Sequence, residues 1–488
     1  MSTSVTSCAL VGVDPRLVRL EASLSGGRSQ FIIVGLPDAA VRESRERVRS
    51  ALKQSGYRFP PGRVVVSLSP ADLPKAGAMY DLAIALCLVN ATEGLGPHSE
   101  SFVAMGELTL HGAIKPTVGA VVAASVAEDL NLTALVPVDS SIPAGCQGKV
   151  VGAMTLREAV GVIKTGKGGT PIVGFRRGTS QPPDLADVRG QFAARRALEV
   201  AAAGGHHLLM VGPPGSGKSM LAQRLPSIIP SLSPAAQREV ALVMAASGME
   251  TADSSIPPFR APHHSISIPA MVGGGSGIPK PGEITRAHRG VLFLDELGEF
   301  PPAVLDALRQ PMESGNVLVS RQAASVLFPS EIQVVAASNP CPCGYKGDRK
   351  KECSCNDTSV ERYRTRLSGP LVDRFDVRVH VERLGPTDLR MANGETSRTV
   401  RARVESARSI QAARGRLNRS LSGTELLSLE DSISLRAFLA THDIASTMTA
   451  RGWDRVRRVA RTIADLAGDR LSTDVHLKEA MDMRGGFE

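Results

Sequence analysis

The octet Gly212-Pro213-Pro214-Gly215-Ser216-Gly217-Lys218-Ser219 follows directly on the apolar run Leu208-Leu209-Met210-Val211, and an apolar, helix-forming run (Met220, Leu221, Leu225) comes after it. A strand, a glycine-rich turn and a helix in that order form a phosphate-binding loop. The glycines let backbone N–H groups approach phosphate oxygens, Lys218 reaches the β- and γ-phosphates, and Ser219 can ligate Mg²⁺. The octet is therefore the candidate ATP-binding segment. A chance glycine-rich turn would lack the flanking strand and helix.

Two more apolar runs read as strands of the same sheet. Val291-Leu292-Phe293-Leu294 ends in Asp295 and Glu296. Asp295 is placed to hold the metal through water, and Glu296 to activate the attacking water. Ile332-Gln333-Val334-Val335-Ala336 leads to Asn339, which either orients that water or simply makes a turn before Pro340. Short apolar strands separated by helical or loop stretches predict a parallel sheet with crossovers. Arg374, in Leu371-Val372-Asp373-Arg374-Phe375-Asp376, is a candidate guanidinium for a neighbouring subunit's γ-phosphate. Arg451, opening a helix over Arg451–Leu466, is a candidate for reaching phosphate from the C-terminal helices. Ordinary ion pairing is the alternative for both.

A chain of 488 residues is too long for one core. Composition divides it into residues 1–165, with alternating strand-like and helical runs; a Gly/Pro/Ser/Arg-rich linker at 166–187; the ATP-binding core at 188–384; and an Arg-rich helical region at 385–488. Phe31–Val34 and Val64–Leu68 read as strands, and Val41–Gln54 as a helix opened at Pro37-Asp38. A net charge of +9 permits a polyanionic partner without requiring one. No run of about 18 apolar residues is present and Met1–Leu10 shows no secretory pattern, so no membrane partner and a cytoplasmic location are expected.

Of seven cysteines, Cys8, Cys87 and Cys146 are scattered, whereas Cys341, Cys343, Cys353 and Cys355 are bunched. Four thiolates from two tight turns suit tetrahedral Zn²⁺ as a structural clip; free or redox-active thiols are the alternative. The run Arg398, Arg401, Arg403, Arg408, Arg414, Arg416 and Arg419 fits DNA phosphates, a solvated helix face or a subunit interface.

These motifs together resemble an AAA+ module. The strings Pro258-Phe259-Arg260-Ala261-Pro262-His263-His264, Gly273-Gly274-Gly275, Ser338-Asn339-Pro340-Cys341-Pro342-Cys343-Gly344 and Ala460–Leu466 more specifically resemble the magnesium-chelatase-like YifB/ComM family. The resemblance implies a multidomain α/β chain: a Lon/ribosomal-S5-like α+β N-terminal domain, an AAA+ P-loop core with a parallel sheet, and a C-terminal helical lid. It implies ATP and Mg²⁺ as cofactors, a homo-oligomeric, hexameric ring with sites between subunits, and DNA as the substrate of a branch-migration or helicase-type motor. A competence- or recombination-related role is implied, with recombination proteins as partners. Within the family pattern Lys218 and Ser219 belong to Walker A, Asp295 and Glu296 to Walker B, Asn339 to sensor 1, Arg374 to the arginine finger and Arg451 to sensor 2. A chelatase motor subunit acting through a partner protein is the alternative.

Leu73–Asp81 and Gly106–Gly112 resemble the Lon protease domain, but Met79 stands where the serine nucleophile falls, and a thioether cannot attack a peptide bond. The expectation is a non-catalytic domain. Pro257–Gly282 reads as a loop projecting toward a ring pore, where His263 and His264 either shape the loop or meet a polyanion. Asn316–Arg321 and Ser325–Phe328 read as a hairpin turning near Gln322-Ala323, with Arg321 near its tip.

Overall fold

The computed structural model describes residues 4–146, 148–172, 182–250, 255–275, 278–321, 324–348, 350–366, 369–385, 388, 393–443 and 448–484. Two sheets organise them. The first has eight strands in the order Thr170–Pro171, Lys149–Ala153, Thr133–Pro137, Phe102–Ala104, Ser4–Val11, Asp14–Ser25, Arg63–Ser69 and Gln30–Val34. Strands and helix read from the sequence here are present. The helix Ala39–Gln54 starts where Asp38 accepts a hydrogen bond from the Val41 amide, an N-cap that satisfies one orphan donor.

The helix Gly119–Asp129 lacks a polar face, and its first nine residues are buried. A helix apolar all round must be covered on both sides. One side lies on the first sheet; the other meets Ala241, Leu242 and Ala245 of the helix Pro234–Ala246. Arg238 of that helix donates to Ser125 Oγ at 2.7 Å across the junction. A second junction sets Gly12 against Val326, so close that a Cβ would overlap the valine.

The second sheet has five parallel strands in the order Phe259–Arg260, Val291–Leu294, Gln333–Ser338, Leu208–Val211 and Val377–His380. Buried on both faces, the three middle strands carry almost only aliphatic residues. The strand that precedes the glycine-rich loop lies between those ending at Ser338 and at His380. This order puts Gly212, Asp295 and Asn339 side by side, just beyond the carboxyl ends of three adjacent strands.

Three expectations are revised. The segment 166–187 is not wholly a linker: Thr170–Pro171 pairs with Val151 and Gly152, and Asp184 bonds the Ser397 amide; residues 173–181 lie outside the described set. The segment Pro257–Gly282 is not a plain loop. It holds the edge strand Phe259–Arg260, a helix at Ile268–Val272 capped by Ser267, and a ladder of Gly273–Gly274 with Lys280–Pro281. Within the Arg-rich helix Ser397–Ala413 and the turn after it, four guanidiniums are spent internally, Arg403 on Glu199 and Glu395, Arg408 on the Ala202 carbonyl, Arg414 on Asp465 and Arg419 on the Ile332 carbonyl, whereas Arg398 and Arg416 are exposed. The hairpin Asn316–Ser320 with Ser325–Pro329 is present, its turn at 322–323 lying outside the described residues. No described helix is long and apolar enough to cross a membrane.

Candidate functional site: a phosphate loop and a distant arginine cleft

The glycine positions of the loop have different causes. Gly212 is excluded from carrying a side chain by contact, because a Cβ would lie 2.1 Å from the Val381 carbonyl. Gly215 and Gly217 face open space but have φ of 75° and 93°, which L side chains rarely adopt. With Pro213 and Pro214 between, the backbone turns directly into the helix Lys218–Ile228, whose first N–H groups face the loop.

Lys218 is 9% exposed and donates to the Gly212 and Pro213 carbonyls at 2.7 and 2.9 Å, with Asn339 Oδ1 at 3.4 Å. Burial pushes its ammonium down to about 8, against the pull of Asp295 and Glu296. Ser219 Oγ donates to Asp295 Oδ2 at 2.6 Å. Ser216 Oγ is buried without a hydrogen-bond partner in the described residues. A buried cation spanning its own loop, an orphaned hydroxyl and a hydroxyl–carboxylate pair suit ATP phosphates and Mg²⁺. Lys218, Ser216 and the loop amides would hold the phosphates, and Ser219 with Asp295 the metal.

Glu296 has φ 53° and ψ 50°, a left-handed conformation uncommon outside glycine. Its carboxylate stays accessible, and His264 Nδ1 lies 3.3 Å away. Sequence reasoning singled out His264 but assigned it to loop shape or a polyanion. Gln191, also left-handed at φ 49°, was missed: its amide donates to the Ser216 carbonyl at 3.1 Å and the Glu382 carbonyl at 2.7 Å. Its signal was Gly190-Gln191 ahead of the Phe192–Gly204 helix.

Arg374 and Arg451 are not beside this loop. They share a cleft of about 690 Å³ with His207, Ile332, Asp376 and Arg455. His207, Ile332 and Asp376 each immediately precede a strand of the parallel sheet, whereas the loop follows one. The cleft therefore lies at the opposite edge, one strand length or roughly 15 Å away. Arg374 pairs with Glu313 at 2.7 Å, and Arg451 is exposed.

The four cysteines converge: Cys341 Sγ lies 3.4 Å from Cys343 Sγ and 3.6 Å from Cys353 Sγ, and all four sulfurs lie within 4.8 Å of one another. Tetrahedral zinc with bonds of about 2.3 Å sets sulfurs about 3.8 Å apart, so the donor set fits. The amides of Cys343 and Lys346 donate to Cys355 and Cys341 sulfurs, as thiolate ligands require. The cluster abuts the phosphate loop: a Cβ on Gly344 would stand 2.7 Å from Pro214, whose carbonyl accepts from Arg383. Cys8, Cys87 and Cys146 are buried elsewhere, and burial raises their thiols, Cys87 and Cys146 to about 12.

Met79, in place of a nucleophile, packs with its sulfur against Gly119 inside the N-terminal region.

The model of the magnesium chelatase subunit ChlI matches residues 184–389; those of subunit ChlI of Mg-chelatase and of the ChlI C-terminal region match 20–140 and 394–484. The protein is similar to the uncharacterized protein YifB of Escherichia coli K12, 40% identical over 502 residues covering 99% of this chain and 97% of that one. It is also 39% identical to the competence protein ComM of Haemophilus influenzae, over 98% of this chain and 97% of the relative. Lon protease 2 of Bacillus subtilis is 31% identical over 147 residues, 28% of this chain and 27% of the protease. With nearly full-length identity to both YifB and ComM, and a phosphate loop set in a five-stranded parallel sheet, the chain belongs to the YifB/ComM family of magnesium-chelatase-like AAA+ ATPases.

Proposed function

We propose that this protein is an ATP-hydrolysing ring motor acting on DNA, of the branch-migration or helicase type. The observation that carries the ring is the separation of Arg374 and Arg451 from Lys218 by the length of a strand, at opposite ends of the sheet's strands. Neither arginine can serve the phosphates of its own chain. A head-to-tail ring lays the arginine cleft of one subunit against the phosphate loop of the next. Lys218 and the loop amides then hold ATP, Ser219 and Asp295 hold Mg²⁺, and Glu296 takes the proton from the attacking water. Asn339 orients that water, and Arg374 and Arg451 neutralise charge developing on the neighbour's γ-phosphate.

DNA as substrate is supported by near full-length similarity to a competence protein and by the Arg321-bearing hairpin at residues 316–329. Residues 1–165 serve as a non-catalytic assembly or partner-binding domain, joined through 166–187 to a core at 188–384 and a helical lid at 385–488. The four cysteines hold one zinc ion as a structural clip.

The test is turnover of the full-length, ring-assembled protein with and without single-stranded or branched DNA. Stimulation by DNA, abolished in Lys218→Ala, is expected. A verified ring whose turnover no DNA form changes would overturn the DNA assignment.

A further inference from the structure

Both legs of the hairpin at residues 316–329 grow out of the wall of the arginine cleft. Residues 311–315 line the cleft immediately before the first strand, and residues 330–332 line it immediately after the second. The legs are tied at the root. The Ser330 amide donates to the Gly315 carbonyl at 2.7 Å, and Asn316 Nδ2 donates to the Ser314 carbonyl at 3.2 Å. A tilt of the hairpin therefore moves this wall. Glu313 stands in it, in the last turn of the helix Arg309–Ser314, and its Oε1 meets Arg374 Nη2 at 2.7 Å.

The other carboxylates of the cleft have partners of their own. Asp376 faces His206 and Arg455, Asp454 faces Arg457, and Glu331 faces Arg289. Arg374 enters its pair from a fixed backbone: Leu371 and Phe375 are fully buried, and the Arg374 amide donates to the Leu371 carbonyl at 2.9 Å. Its side chain is 18% exposed, against 60% for Glu313. The arginine is the anchored member of the pair and the glutamate the movable one.

We propose that Glu313 holds Arg374 back from the neighbouring subunit's γ-phosphate, and that the hairpin releases it. The proposal rests on reading Arg374 as completing the neighbour's site and the hairpin as the DNA contact. A guanidinium bonded to a carboxylate gives up that bond before it faces a phosphate on another chain, so the pair slows every turnover. It also keeps Arg374 compensated while the neighbour holds no γ-phosphate. DNA bearing on Arg321 tilts the hairpin, draws the wall at residues 311–315 with it and lifts Glu313 off the guanidinium. DNA at one subunit's hairpin then promotes hydrolysis in the next subunit rather than in its own.

Glu313→Gln keeps the shape of the side chain and removes its charge. The full-length ring is assayed for kcat, KM and melting temperature, with and without single-stranded DNA. DNA-independent kcat should rise about two- to fivefold, the scale of a half-exposed ion pair, with KM and melting temperature little changed. The DNA-saturated kcat should stay at the wild-type value, so the stimulation ratio falls by the same factor. The gain should also act in trans. In rings mixed from Lys218→Ala and Arg374→Ala subunits, Glu313→Gln placed in the Lys218→Ala subunits should raise turnover by that factor. Placed in the Arg374→Ala subunits, where it has no arginine to release, it should give no gain. Unchanged or lowered DNA-independent kcat, or equal gains from the two placements, overturns the proposal. A gain that leaves the stimulation ratio at its wild-type value overturns the hairpin's part in it. If Glu313→Gln fails to assemble, Glu313→Ala decides by the same readouts. If wild-type turnover ignores DNA, the DNA assignment falls, while the DNA-independent gain still judges the hold on Arg374. If mixing restores no turnover at all, the reading of Arg374 falls and the proposal with it.

Discussion

Ser219 Oγ donates to Asp295 Oδ2 at 2.6 Å, joining the residue after the phosphate-loop lysine to the first acid of the neighbouring strand. Two oxygens this close can share one Mg²⁺ between them, directly or through water. In Ser219→Ala the Asp295 carboxylate stays and one ligand goes. The Mg²⁺ concentration for half-maximal turnover should rise about tenfold, equivalent to ~1.4 kcal/mol. A Mg²⁺ titration at fixed ATP checks this, and an unchanged requirement would remove Ser219 from the metal site.

Lys218 gives the site a pH signature. Its ammonium is pushed down to about 8 by burial, below the usual lysine value, so between those two values the unfolded chain binds more protons than the folded one. Folding stability contributed by this residue therefore rises with pH across that window, and the strain is fully present below it. Bound phosphates reverse the balance, because they favour the charged form. ATP affinity should fall as pH rises above about 8, with proton uptake on binding in the same range. Calorimetry in two buffers of different ionisation enthalpy measures that uptake, and binding without proton uptake above about pH 8 would overturn the assignment to Lys218.

The phosphate loop, Asp295, Glu296 and Asn339 were legible in the sequence because each sits at the end of a short apolar strand, and strand order does the rest. The cysteine cluster was legible from spacing alone. Arg374 and Arg451 could be named, but the sheet edge they occupy depends on which strand ends face which way, and chain order does not state that. The arginines of residues 398–419 show the limit most clearly. Arg403 finds Glu199, and Arg414 finds Asp465, across about 200 and 50 positions of sequence. A guanidinium destined for a buried carboxylate reads the same as one destined for a phosphate. His264 was visible as part of a His pair, yet its partner follows only from the register of Arg260 on Leu292.

Zinc makes a separate prediction. Purified full-length protein should carry about one zinc per chain, and Cys341→Ser combined with Cys343→Ser should remove it. Gly344 packs on Pro214, so metal loss should also lower the melting temperature and weaken ATP binding. Elemental analysis alongside calorimetry reads both. Well-folded protein without metal would leave the four cysteines as free thiols.

The separation of the arginine cleft from the phosphate loop has a consequence that no single-chain site shares. Arg374→Ala should lower kcat about a thousandfold or more, the scale of an arginine finger, with ATP affinity retained. Lys218→Ala should lose ATP affinity instead. Each ring alone is inactive, for opposite reasons. When the two variants are mixed and reassembled, an Arg374→Ala subunit keeps an intact loop, and a Lys218→Ala neighbour supplies an intact Arg374. With random mixing at equal amounts, roughly a quarter of the interfaces regain both parts. Turnover should therefore reappear in the mixture and scale with the product of the two fractions. If each chain completed its own site, mixing would restore nothing.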